Sequence, residues 1–533
     1  MRAKETAYLK NLSVASSSFS KKKMRPITLL ENYSITGETN DVEFIKKLHD
    51  LLLYIIAYPH STKERAIAEK HLKKIASKIK LNKSIQTDLI NSGLPHAPSF
   101  TTFSHDMVKW LVNNSDVKVI PEISEANSKG LSDALGALLP RYISEFAYAG
   151  YSNEDLLEMF SRPKDHLSFI VSIFDEIKMP FVKDLLFESL DIYYDIIPSN
   201  RTYSISYNRI PVTSIFYHDT ILKYFSYLDL ISQPLPHQKN ISNKLRVQID
   251  NVVKSSMTLL ARETDTATYM DPKSIQFYEL DRGISVALYD MVPSRQLSFE
   301  SYVGYSLFKN GFPCAYGGAW VFGNQAKIGI NIFEQFRGGE SGYVFCQLIR
   351  LYKQLFKIDE FEVEPYQFGL DNPDGIKSGS FWFYYRYGFK PVDKDLARLA
   401  SEEKKKRAKD PAHRTSEHVL LKFTKCNMRL TLNKSSHMRI EELNDRVRKL
   451  VRNRFRGNRS EAVIFGKKIF RSKLPGMHIP SSVSMDENIL FALVKNIASK
   501  KLLKILVEMS RSKSNDLLKY QQSLREFLEK TSV

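Results

Sequence analysis

Residues 336–342, Phe-Arg-Gly-Gly-Glu-Ser-Gly, are the part of the sequence whose spacing says most about chemistry. They follow a β-patterned stretch. They precede an amphipathic one in which Phe345, Leu348, Ile349, Tyr352, Leu355 and Phe356 recur at helical intervals. A strand that passes through glycines into a helix turns several backbone N–H groups outward at a helix N-terminus, where the macrodipole favours anions. Arg337 adds a planar, forked cation suited to phosphate oxygens. A pyrophosphate fits such a loop, although the same residues can make a plain strand-to-helix turn. No histidine stands between His237 and His413, which removes Ser-His or Cys-His catalysis and histidine-based metal sites from this stretch. Cys314, Cys346 and Cys426 contain no C-x-x-C pair, so neither a zinc site nor a disulfide framework is expected, and no metal. Cys314 reads as a buried strand cysteine.

The elements that position this loop can be read on both sides of it. Residues 275–280 and 284–289 pattern as strands around Asp281-Arg282-Gly283. A meander follows, with strands at 302–308, 312–322 and 326–333 joined at Lys309-Asn310-Gly311 and Gly323-Asn324-Gln325, whose Asn and Gly tolerate positive φ. After the loop come the helix, a strand at 360–368, and the aromatic run Phe381–Tyr387. Upstream, Phe44, Ile45, Leu48, Leu51 and Leu52 mark a helix face, and Ser61 with Glu64 forms a capping box for a second helix. Helical patterns recur at 131–149, 153–160, 166–176, 182–190, 220–231 and 243–261, while 203–217 alternates like strands. Helices are expected at 440–455, 489–509 and 515–529. The division expected is a basic, Ser-rich tail over 1–36, a mostly helical domain over 37–265, a sheet-bearing domain over 266–395, and a basic, mainly helical region over 396–533.

Two motifs in that third segment resemble the GCN5-related N-acetyltransferase family, over roughly residues 284–392. The family's loop carries Arg or Gln, two residues, Gly, one residue, then Gly or Ala; Arg337 and Gly342 match, and Glu340 stands where Gly is usual. Residues 383–391, Phe-Tyr-Tyr-Arg-Tyr-Gly-Phe-Lys-Pro, resemble its late helix-to-strand signature. The resemblance implies an α/β (α+β) domain with a mixed, mostly antiparallel sheet, flanked here by the α-helical N-terminal and C-terminal regions. It implies an acyl-CoA-dependent N-acyltransferase using acetyl-CoA, another acyl-CoA or an acyl carrier protein thioester. Arg337, Gly338, Gly339, Ser341, Gly342 and Asn372 would bind the donor. Tyr384 would protonate the departing thiolate, since a neutral phenol is a donor at pH 7. A backbone N–H would polarise the carbonyl. Glu334 would act as base, with Glu362 and Glu364 as lesser candidates. Core packing is the competing role for Tyr384, which has five aromatic neighbours in sequence, and surface exposure for Glu334. At Glu340, a carboxylate can repel a pyrophosphate or turn away.

The net charge is +19 over 533 residues. Residues 391–533 hold 33 Lys and Arg against 16 Asp and Glu, so +17 of it lies beyond the sheet-bearing segment. That asymmetry suggests an acidic partner, such as a nucleic acid or a carrier protein, met by Arg446, Arg448, Lys449, Arg452, Arg454, Arg456 and Arg459, unless these only make a solvated face. The competing function is therefore a non-catalytic binding protein whose acyltransferase-like domain is degenerate. The longest early apolar run, Leu51–Ala57, is far short of the ~20 residues that span a bilayer, and a cytoplasmic location is expected.

Overall fold

The structure is a computed structural model in which residues 3–17, 25–33, 41–140, 150–433, 438–497 and 499–531 are described. Its architecture is mixed α/β: an open, mixed sheet flanked by helices.

The N-terminal half is mainly helical. Asp41 caps the helix Val42–Ala57 by accepting from the Phe44 N–H at 2.9 Å, and the face it starts (Phe44, Ile45, Leu48, Leu52) is buried. Ser61 caps Thr62–Leu81 in the same way. Within the segment read as a tail, Ala3–Ser17 and Pro26–Glu31 are helices. Leu12 and Leu30 are buried against the core, and Tyr8 stacks on Tyr33 at 4.1 Å. A small antiparallel sheet was not anticipated: β1 (Ser99–Thr101), β2 (Val117–Glu122) and β3 (Tyr193–Pro198), in the order β1-β3-β2.

The large sheet contains β4 (Gln276–Glu279), β5 (Ile284–Tyr289), β6 (Ser301–Lys309), β7 (Phe312–Phe322), β8 (Gln325–Ile328), β9 (Asn331–Ile332), β10 (Glu360–Val363), β11 (Lys390–Pro391) and β12 (Met428–Thr431). The path runs β11-β12-β10-β8-β7-β6-β5-β4, with β9 pairing β7. β4 to β8 form an antiparallel meander whose turns use the positive φ of Asn310 (46°), Gly311 (88°) and Gly323 (63°). All six residues of β5 are buried, as a sheet covered on both faces requires. The helix Ser341–Phe356 lies along it, and Tyr352 Oη donates to Val303 O at 2.8 Å. β10 then pairs parallel to β8, which a helical crossover permits.

Four expectations change. Residues 203–217 form turns, with Ile205 N–H bonded to Gly93 O and Asn208 Nδ2 to Val252 O, so their polar groups are satisfied outside any ladder. The helix expected at 220–231 starts only at Tyr227, because the Leu222 N–H donates to the Glu340 carboxylate. The helix read over 489–509 is two, Val483–Val494 and Lys500–Ser512, separated where Asn496 takes φ 49°. The pattern at 131–149 is helical over Ser128–Leu138, and 141–149 lies outside the described residues.

The C-terminal region is not purely helical. β12 lies between β10 and β11 and pairs antiparallel with both. The remaining helices pack a second core around Leu490, Leu506 and Leu524, joined to the sheet through Phe299 and Phe322. Gln521 in Leu517–Thr531 bonds to Val321 O and to the Gly323 N–H, at 3.0 and 3.2 Å. No helix among the described residues is long and apolar enough to cross a membrane.

Candidate active site

β8 and β10 hold together only from Gln325–Glu360 to Lys327–Glu362. Beyond that point they part. One chain continues as β9 against β7, and the other turns through Pro365–Phe368. The opening between them is a cavity of about 1000 Å³. It gathers Arg337, Gly338, Gly339, Ser341, Gly342, Asn372 and Tyr384, that is, seven of the eight residues singled out in the sequence. The eighth, Glu334, is exposed on the turn Glu334–Phe336 and does not line it. Glu362 is elsewhere too, held by Asn427, Arg429 and Arg439. Glu364 lies 3.8 Å from Lys327 and is likewise absent from the cavity wall.

The loop is built from three sides. Gly338 has φ 81°, a left-handed conformation that glycine takes without strain, and a Cβ there would meet nothing within 4 Å. Gly339 rests on Tyr54 and Tyr58 of the N-terminal helical region, so that region forms the floor under the loop. Gly342 lets the helix approach Tyr387, whose Oη would be 1.6 Å from a Cβ at this position. Close packing therefore already requires this glycine. Arg337 is exposed at the rim and donates from Nε to Ile332 O at 3.2 Å. Among the described residues, the backbone N–H groups of Gly338, Gly339, Ser341 and Gly342 have no partner, the last two as first-turn helix donors.

Glu340 points away from the cavity. Its carboxylate is buried and accepts from Lys309 Nζ at 2.8 Å, Arg282 Nε at 2.7 Å and the Leu222 N–H at 3.0 Å. His218 Nε2 is 3.8 Å away. Burial alone would raise its pKa, but the His218 hydrogen bond and the Lys309 and Arg282 charges overcome this and hold it well below the carboxylate range. Burial lowers Lys309 to about 8 against the pull of Glu340. The departure at position 340 thus leaves the loop's backbone donors facing the cavity while anchoring the loop from behind.

Tyr384 is buried and packs edge-on to Phe345 at 5.5 Å. Its hydroxyl donates to Gln367 Oε1 at 3.4 Å, a long bond. Burial drives the phenol well above its ordinary range, opposed by a hydrogen bond from the Ile330 backbone, so it is a proton donor at neutral pH. Asn372 is spent on structure: it accepts from the Gly375 N–H and donates to Tyr366 O, capping Pro373–Ser378.

Sequence reasoning missed Lys223, Arg262, Glu263 and Arg386, which also line the cavity. The basic charge here (Lys223, Arg262, Arg337, Arg386) outweighs Glu263 and Asp374. Arg386 stands inside the aromatic motif and was legible there. Arg262 and Glu263 follow the end of the helix Asn243–Thr258 with no motif to mark them. Among the described residues no group of His, Cys, Asp and Glu could hold a metal. No family model, curated protein or solved structure matches the chain.

Of the basic C-terminal residues, Arg446, Lys449 and Arg459 pair with Glu442, Asp445 and Glu487, and Arg454 lies over Phe465 at 4.6 Å. Much of that charge is thus balanced locally.

Proposed function

We propose that the chain is an acyl-CoA-dependent N-acyltransferase with a GCN5-related type of central domain. The observation that carries this reading is the cavity at the parting of β8 and β10. There, a glycine loop with free N–H groups, a basic rim and a buried phenol converge. The loop amides and Arg337 would take the donor's pyrophosphate, with the dipole of Ser341–Phe356 behind them. The thioester would lie toward Ile330 and Tyr384. The amine attacks the thioester carbonyl, a C–N bond forms, the C–S bond breaks, and Tyr384 protonates the thiolate. The acyl group, and whether it arrives on CoA or on a carrier protein, are left open by this reading.

Calorimetry with CoA and acetyl-CoA tests it. Binding to the wild type, weakened about tenfold in Arg337→Ala through loss of charge-assisted phosphate contacts, is expected. A wild type that binds neither sinks the CoA-dependent reading.

A further inference from the structure

A second cavity, of about 670 Å³, adjoins the first and shares two wall residues with it, Glu263 and Thr264. Its character is opposite. Its wall carries the carboxylates of Asp184, Glu188, Asp191, Glu263 and Asp265 against one cation, Arg295. Arg295 is already engaged: it binds Asp184 through both terminal nitrogens and Asp106 at 2.9 Å. Among the described residues, Glu188, Asp191 and Asp265 have no ion-pair partner. Glu263 is held only by neutral donors, the Ser104 N–H at 2.9 Å and hydroxyl at 2.5 Å and the Thr268 hydroxyl at 2.6 Å. The rest of the wall is aromatic, with Trp320 stacked on Tyr302 at 4.2 Å. Aromatic faces also attract cations.

An independent observation points to a ligand. Tyr194 lines this cavity and is 1% exposed, yet its hydroxyl has no hydrogen-bond partner. Buried hydroxyls are ordinarily satisfied, and an orphan in a cavity wall marks a place for a polar group from outside.

We infer that this cavity binds an aliphatic polyamine and presents one of its primary amines at Glu263 to the thioester in the adjoining cavity. Several carboxylates spread along the wall call for a ligand with more than one positive charge. The aromatic walls suit its methylene segments. The inference rests on the acyltransferase reading for its second half only.

The step balances. The ammonium passes one proton to the Glu263 carboxylate, and the freed lone pair attacks the carbonyl carbon. As the tetrahedral adduct collapses, C–S breaks and the sulfur takes a proton from Tyr384. The second proton lost by nitrogen restores Tyr384, and Glu263 releases its own to water. The products are an amide, a thiol and one proton. Burial raises the Glu263 pKa more than its hydrogen bonds lower it, which suits a base, and Asp265 raises it further.

Calorimetry with spermidine on the full chain tests the inference, alongside CoA. Spermidine is expected to bind the wild type and to bind about tenfold more weakly to the Glu188→Gln/Asp191→Asn double variant, while CoA affinity stays unchanged. Both positions are exposed, so that variant folds. Tyr194→Phe, which removes only the orphan hydroxyl, should weaken spermidine without affecting CoA. If CoA binds and spermidine does not, or if the double variant binds spermidine as well as the wild type, the polyamine site is overturned and the acyltransferase reading stands. If spermidine binds and CoA does not, the cavity is a polyamine site and acyl transfer at Glu263 is overturned.

Discussion

At the scale of single residues, Glu340 and Lys309 form a buried ion pair whose two halves depend on each other. Glu340→Gln removes the charge that compensates Lys309 and Arg282, and should cost about 3–5 kcal/mol in denaturant unfolding. Adding Lys309→Met should restore much of that loss, because what destabilises is the uncompensated charge. The pH dependence has a definite sign. The folded pKa of Glu340 is depressed, so its contribution is fully present above the unfolded value of about 4.3 and is lost as pH falls below it. Tyr384→Phe should lower kcat about 10²-fold and leave CoA binding intact, as loss of a proton donor does; unchanged turnover would return Tyr384 to a packing role. Glu263 sets a further expectation. Its pKa is raised by burial, with Asp265 and Tyr269 the titratable groups facing it, so the acid limb of the pH–rate profile should lie above the ordinary glutamate value of 4.5. Glu263→Gln should abolish that limb along with most of the activity.

At the scale of elements, the glycine loop and the aromatic helix Ser380–Arg386 support each other through Gly342 and Tyr387. Tyr387 is wedged between Phe225, Phe345 and Phe383, so it cannot yield to an added methyl. Gly342→Ala should therefore destabilise by about 1–3 kcal/mol, seen as a lowered Tm whether or not CoA is present. The meander was legible in the sequence because its turns need residues that accept positive φ, and Asn310, Gly311 and Gly323 announce them. The glycine loop was legible for the same reason, and the aromatic motif through its composition. Period alone misled elsewhere. Residues 203–217 alternate but satisfy their polar groups with distant loops, and the Leu222 N–H is taken by Glu340, 118 residues away. The fate of the Glu340 side chain was not legible either, since its partners Arg282, Lys309 and His218 come from three separate segments. Glu263 was unreadable because nothing local distinguishes it. Only the fold sets it between two cavities of opposite charge.

At the scale of the molecule, the boundary drawn near residue 395 cuts through the sheet. β12, from beyond it, supplies the ladder that both β10 and β11 use. A fragment spanning 266–395 would leave β10 with an open edge and β11 without a partner, and would also lack the floor that Tyr54 and Tyr58 give the loop. Such a fragment should show no cooperative unfolding transition, whereas the full chain should. Retention of a sharp transition would establish the segment as autonomous after all.

The placing of β12 also imposes an order in time on the newborn chain. β11 leaves the ribosome well before the strand that must sit between it and β10, so the two earlier strands have to remain apart until residue 431 has emerged. Synthesis runs at roughly 5–20 residues per second, so that interval lasts seconds, long beside the microseconds in which a hairpin can close. The helix Lys394–Lys409, with basic residues crowding its last turns, is made during this interval. Its charge gives the waiting chain a means of staying soluble until its last strand arrives.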